Sequence, residues 1–375
     1  MIRGHRIEVK CPQFRSSGLD VLAAISVLAI AILVSAQSAW AQGCIVARST
    51  QQVLSPLSST TEQGELRPEN QGGYLAPHQW ELTFGYRHQF SERHFVGPTE
   101  QIRREQLHTR VMNKINLPSF LLTYQITPRW SASVNMPILF ATRRQESSPY
   151  TFAAQGIGDT AITAQTWLWS PAKPHRGNIS VGFGIMFPTG RSDVKNTFDQ
   201  NGTAVTQPVD YSIQPGQGGW GLIGQFQAFH VLGKKGVGYM DATYTATPQN
   251  QNNTCRSGRS PLTACNSISD LYLAEAGYAY PLGFLKGLVI TIGPRIEGVP
   301  VRDIFGQSYG FRRPGFAISV QPGFIYARGK SMYTINVAKA FYRTRERSVP
   351  DIASGGHGDA AFADYVWLAS YTYRF

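Results

Sequence analysis

The sequence predicts an all-β chain: a transmembrane, antiparallel, up-and-down β-barrel of about twelve strands. Three observations carry this. Alternation of apolar and polar residues with period two recurs from Trp80 to Phe375. Connections sort into short and long in strict alternation. The chain also opens with an export signal and ends on an aromatic residue.

The alternation is clearest in Trp80, Leu82, Phe84, Tyr86 and Phe90, with Glu81, Thr83, Gly85 and Arg87 on the other face. It returns at Phe120, Leu122, Tyr124 and Ile126, then at Trp130 to Phe140, Ile179 to Phe187, Tyr272 to Tyr280, Phe316 to Tyr326 and Tyr333 to Val337. Tyr365, Trp367, Ala369, Tyr371, Tyr373 and Phe375 form the last strand. Weaker strands are expected near 159–169, 220–231, 237–246 and 288–298, which brings the count to twelve. Short connectors are expected at 127–129, 170–177, 232–236, 283–287 and 327–330. Long loops are expected at 91–114, 141–158, 188–219, 247–267, 299–315 and 342–360. Hydrocarbon offers no hydrogen-bond partners, so strands that span it must close and leave no edge. A soluble β-sandwich would also alternate, but it needs neither export, nor aromatic girdles, nor loops sorted by length.

The N-terminus supplies the compartment. An apolar run from Val21 to Val34 follows Arg3, Arg6, Lys10 and Arg15 and precedes Ala39-Trp40-Ala41, which reads as a signal peptide over 1–41. Residues 42–78 are expected to form a flexible periplasmic lead-in, and 79–375 the barrel in the outer membrane. Cys44 opens a competing lipoprotein reading, although Gln42 and Ala41 match that signal poorly. Cys255 and Cys265, in a polar loop of an oxidising compartment, are expected to pair as a disulfide. Their spacing, with no nearby His, does not suit a metal, and no pattern calls for a cofactor. The formal charge is +12, and about +10 remains without the signal. No nucleic-acid-binding motif accompanies it.

On the lumen-facing parity stand Arg87, Thr123, Gln125, Asn135, Gln165, Gln225, Gln227, Asp241, Glu275, Arg295, Glu297 and Asn336, a polar lining of both signs. If the hairpin around Leu285 is symmetric, positions summing to 570 face each other. Tyr278 then meets Ile292, Tyr280 meets Ile290 and Glu275 meets Arg295. The long loops carry Arg103, Arg104, Arg110, Arg143, Arg144, Arg302, Arg312, Arg313, Arg343, Arg345 and Arg347, a basic rim suited to anionic solutes or lipopolysaccharide phosphates. The histidines, His88 included, sit in no recognisable nucleophile motif.

Two resemblances follow from short motifs. Tyr371, Tyr373 and Phe375 resemble the C-terminal signature of outer-membrane barrels, which implies recognition by the barrel-assembly machinery. Gly156-Ile157-Gly158-Asp159-Thr160, Phe187-Pro188-Thr189-Gly190-Arg191-Ser192-Asp193 and Pro215-Gly216-Gln217-Gly218-Gly219 are similar in order to the transporter-like family named for the meta-pathway of phenol degradation. That resemblance implies an exported barrel that passes small, often aromatic or hydrophobic compounds, whereas the polar lining itself suits polar or amphiphilic solutes. The alternatives are a membrane-embedded hydrolase and a loop-mediated adhesin or structural barrel.

Overall fold

A computed structural model describes residues 74–375 except 174, 234, 257 and 258. The expected signal peptide, Cys44 and most of the lead-in lie outside the described residues. The barrel strands, in chain order, are β1 (Trp80–Val96), β2 (Val111–Gln125), β3 (Trp130–Gln145), β4 (Thr151–Ile157 and Thr160–Trp167), β5 (Gly177–Phe187) and β6 (Gly221–Leu232). They continue as β7 (Gly236–Ala246), β8 (Leu271–Pro281), β9 (Leu288–Ile292 and Pro294–Val299), β10 (Gly315–Val320 and Gly323–Arg328), β11 (Ser331–Arg345) and β12 (Ala360–Arg374). Every neighbouring pair is antiparallel, and β12 returns to β1, so the twelve strands close. At that seam Phe375 exchanges backbone hydrogen bonds with Trp80, at 3.0 and 3.4 Å.

The outer face carries the apolar parity. Leu82, Phe84, Leu122, Val181, Phe183, Ile185, Ile290, Ile292 and Ile335 are exposed large side chains, with Trp80, Trp130, Tyr278, Tyr280, Tyr371 and Tyr373 among them. On a water-soluble protein such a belt would be an aggregation surface; an outward apolar band flanked by aromatic residues is the pattern of barrels of the outer-membrane type. Among the described residues no helix is long and apolar enough to cross a membrane. On β1 and β2 the outward parity turns polar where the Asn116 carbonyl accepts from Tyr86 Oη at 2.7 Å and lies 2.8 Å from His88 Nδ1.

The long connections differ in kind from open loops. Residues 141–158 are mostly strand: β3 runs to Gln145 and β4 restarts at Thr151, paired residue for residue from Arg144↔Thr151 to Ile138↔Ile157. The third connection contains its own hairpin, Lys195–Gln200 with Thr203–Pro208, and a 3-10 turn at Tyr211–Ile213. The fourth pairs Gln251–Cys255 with Cys265–Ser267, and a disulfide joins Cys255 to Cys265. A short helix, Val349–Ser354, sits in the sixth, opened by a Ser348–Asp351 capping box.

Two interruptions position side chains. β9 breaks at Gly293 and β10 at Gln321-Pro322, where proline has no N–H to give the ladder. Gln321 N donates instead to the Gly293 carbonyl at 2.8 Å, and the Gln321 side chain is buried in the lumen.

Candidate functional site

The lumen is layered. At the short-turn end lies an apolar cluster of Trp167, Phe229, Val231, Val237, Tyr239, Ala279, Val289, Ile325 and Met332. Tyr74, from the segment preceding β1, packs into it: its ring lies 5.2 Å from Trp167 and 6.2 Å from Phe229, and its hydroxyl accepts from Asn178 Nδ2 at 3.2 Å. Toward the long loops two further apolar clusters line the wall. One gathers Phe95, Leu271, Val299, Ala317, Ala340 and Phe362; the other joins Ile115, Leu117, Leu139 and Ala141 to Val209 and Ile213 of the third connection. The polar residues named from inward parity are thus joined in the lumen by apolar layers. Alternation assigns a side chain to a face but does not say which inward residues are apolar, and here polar groups occupy a band between apolar layers.

That band contains most of the charged candidates. Glu275 faces Arg295 in register and bonds it at 3.0 Å. Tyr278↔Ile292 and Tyr280↔Ile290 hold the same register on the outer face. Arg295 also donates to Glu297 Oε2 at 2.9 and 3.3 Å and to Gln321 Oε1 at 3.3 Å. Arg87, on β1, reaches across the lumen to Glu297 on β9 with two bonds of 3.1 and 2.7 Å, and donates to Gln89 at 2.9 Å. These groups are almost wholly buried, Arg87 at 5%, Arg295 at 6% and Glu297 at 3%. Buried ionic groups persist only when paired with good geometry, which this fork-on-carboxylate arrangement provides. Asp241 stands opposite Glu275 on one side and Gln227 on the other; Gln227 accepts from Gln165 at 3.1 Å.

The remaining candidates lie apart from this network. Gln125 is buried at the turn end, bonded to the Thr127 carbonyl at 2.7 Å; Gln225 is half-buried, and Asn336 lies 3.4 Å from Thr291 Oγ1. Sequence reasoning passed over Gln89, Gln321 and Tyr74. Gln321 was concealed by Pro322, which breaks the alternation that would have marked it.

At the long-loop end the expected basic rim is largely consumed by carboxylates. Arg313 pairs with Asp210 at 2.7 Å, Arg104 with Asp359 at 2.6 Å, Arg110 with Glu146 at 2.9 Å and Arg345 with Asp351 at 2.9 Å. Arg312 pairs with Asp303, and Arg343 with Asp364. Arg103, Arg144 and Arg302 stay exposed. Burial alone would raise the Asp210 carboxyl, but Arg143 and Arg313 hold it well below the usual carboxylate range. Glu146 is brought down to about 2 by its hydrogen bond from Arg110. His94 resembles half of a catalytic dyad, with Nδ1 2.9 Å from Asp359. Its Nε2 accepts from Val111 N at 2.9 Å, so the ring is committed to holding the first connection.

The three glycine-rich motifs converge on one junction where β4 is interrupted. Asp159 accepts from Gly190 N at 3.1 Å and from Gln217 N at 2.7 Å. Thr189 Oγ1 donates to the Gly158 carbonyl and accepts from Thr160 N, both at 2.8 Å. A Cβ on Gly216 would lie 2.1 Å from the Gly190 carbonyl oxygen, so the backbones can cross only with glycine there. The junction pins the third connection so that Ile213, wholly buried, packs into the mouth.

No protein-family model matches the sequence, and no curated protein does. Among solved structures, the chain is similar to an outer-membrane channel from Pseudomonas putida F1, with a TM-score of 0.53 and 13% identity over 84% of this chain and 100% of that one. It also matches a FadL homologue of Pseudomonas aeruginosa, with a TM-score of 0.41 and 8% identity over 88% and 99% of the two chains. The translocator domain of the autotransporter NalP from Neisseria meningitidis matches with a TM-score of 0.39 and 11% identity over 79% and 88%. The first of these likenesses establishes the fold, a closed antiparallel barrel of the outer-membrane type.

Proposed function

We propose that this chain is an outer-membrane channel that lets small amphiphilic or aromatic solutes cross through the barrel lumen. One observation carries the reading: the lumen alternates apolar, ionic and apolar layers along its axis, which suits a solute with an apolar body and a polar group. A purely structural barrel gains nothing from burying ionic groups, because apolar side chains of similar volume are often as stable or more so. Tyr74 fills the turn-end layer, so transport requires that side chain to move aside. The motif resemblance to the phenol meta-pathway family supports the same class of solute, and the likeness to the Pseudomonas putida channel supports a barrel of the outer-membrane type. Export, the lipid and lipopolysaccharide contacts of the belt, and recognition of Phe375 by the assembly machinery belong to this proposal.

The test is solute entry into proteoliposomes containing the purified barrel. Phenyl glucoside should enter faster than glucose. Exclusion of both would overturn the reading.

A further inference from the structure

The mid-lumen band sets Arg87 and Arg295 against Asp241, Glu275 and Glu297. Both guanidinium groups are taken up by Glu275 and Glu297, so the surplus charge falls on Asp241. Asp241 is 0% exposed, and neither of its carboxylate oxygens has a hydrogen-bond partner among the described residues. Gln227 faces it across the β6–β7 pair, and Glu275 faces it from β8 with a second negative charge. Two residues along the same face of β7, Thr243 Oγ1 is also buried without a partner. Buried polar atoms left without hydrogen-bond partners are a costly arrangement that calls for a reason.

The neighbouring layer suggests one. Two residues from Asp241 in the other direction, Tyr239 faces Phe229 on β6, and Phe229 lies 5.9 Å from Trp167, ring to ring. A carboxylate beside electron-rich rings is the combination that recognises an organic cation: the charge meets the carboxylate, and the apolar body and polarised C–H groups meet the ring faces. The ring of Tyr74 occupies this cluster in the structure, which shows that an aromatic group fits there.

We propose that Asp241 is the anchoring carboxylate for the ammonium group of an aromatic amine in the lumen, with Thr243 as a further acceptor. The amine's ring takes the place of Tyr74 against Trp167 and Phe229. This rests on reading the lumen as the solute path, but binding is measurable without transport. Titration calorimetry on the full barrel in detergent, with phenethylammonium and phenylacetate as probes, tests it. The wild-type barrel should bind phenethylammonium at least tenfold more tightly than phenylacetate. Asp241→Asn should abolish that preference, whereas Tyr74→Ala, which vacates the ring site and keeps the carboxylate, should tighten ammonium binding. Heat-modifiable gel mobility verifies that each variant is folded. Equal affinity for the two probes in the wild type, or an unchanged preference in Asp241→Asn, would overturn the proposal and mean that a proton alone satisfies Asp241. Proteoliposomes that exclude phenyl glucoside while this preference holds would sink the transport reading and leave the binding site standing.

Discussion

Arg295→Met should destabilise the barrel far more than Arg87→Met, although both remove one buried guanidinium. Arg295 is the common partner of Glu275, Glu297 and Gln321. Without it Glu275 keeps only the 3.0 Å bond from Gln321 Nε2, while still facing Asp241. Stranding a buried carboxylate in this way costs about 3–5 kcal/mol. When Arg87 is lost, Glu297 still has the 2.9 Å bond from Arg295, so the cost is that of charged hydrogen bonds alone, about 1.5–3 kcal/mol. Methionine approximates the volume, so cavity formation contributes little to the comparison. Urea unfolding in phospholipid vesicles, followed by tryptophan fluorescence, measures both. An Arg295→Met barrel within about 0.5 kcal/mol of wild type, the range of ordinary surface substitutions, would refute the network. A greater loss in Arg87→Met than in Arg295→Met would refute the order of importance.

Three further outcomes are expected. Serine at both Cys255 and Cys265 should leave heat-modifiable mobility unchanged and speed proteolysis of the fourth connection, because the disulfide closes only a ten-residue separation remote from the strand ladder; slower folding of the whole barrel would contradict this. Asp210 is held below the usual carboxylate range in the folded state, so its pairing contributes fully above the unfolded value of about 3.9 and is lost as pH falls through the lower folded value. Proteolysis of the third connection should therefore stay constant from pH 8 to about pH 5, and Asp210→Asn should accelerate it at pH 7. Deleting Phe375 removes the backbone bonds to Trp80 that finish the β12–β1 seam, and should sharply lower assembly in the membrane fraction; normal heat-modifiable barrel in that fraction would count against it.

The sequence made the wall legible and left much of the interior hidden. Period-two patterning located all twelve strands, because a barrel of the outer-membrane type keeps one face of every strand apolar. The hairpin around Leu285 could be registered to the residue, since a one-residue slip would turn Tyr278, Tyr280, Ile290 and Ile292 into the lumen. Strand ends were harder to see. Above the lipid belt the outward residues of β3 and β4, such as Thr142, Arg144, Thr151 and Ala153, face water and lose the apolar signal while remaining paired. Arginines were visible but their partners were not: Arg313 meets Asp210 across 103 residues and Arg87 meets Glu297 across 210. The role of the glycine-rich motifs also depended on distant partners. Gly and Pro mark strand exits in any barrel, and only the contacts of Asp159 with Gly190 and Gln217 bring the three segments to one junction.

The central claim, that solutes cross through the lumen, is tested most directly by single-channel current under thiol modification. Cysteine placed at Gln225, on the inward parity of β6, should let a charged methanethiosulfonate reagent reduce the current. Cysteine at Gly224, one residue away on the outward face, where nothing lies within 4 Å of a side chain's first carbon, should leave it unchanged. Gln225→Cys current that resists the reagent, equal sensitivity at both positions, or a wild-type barrel that passes no current would contradict the account.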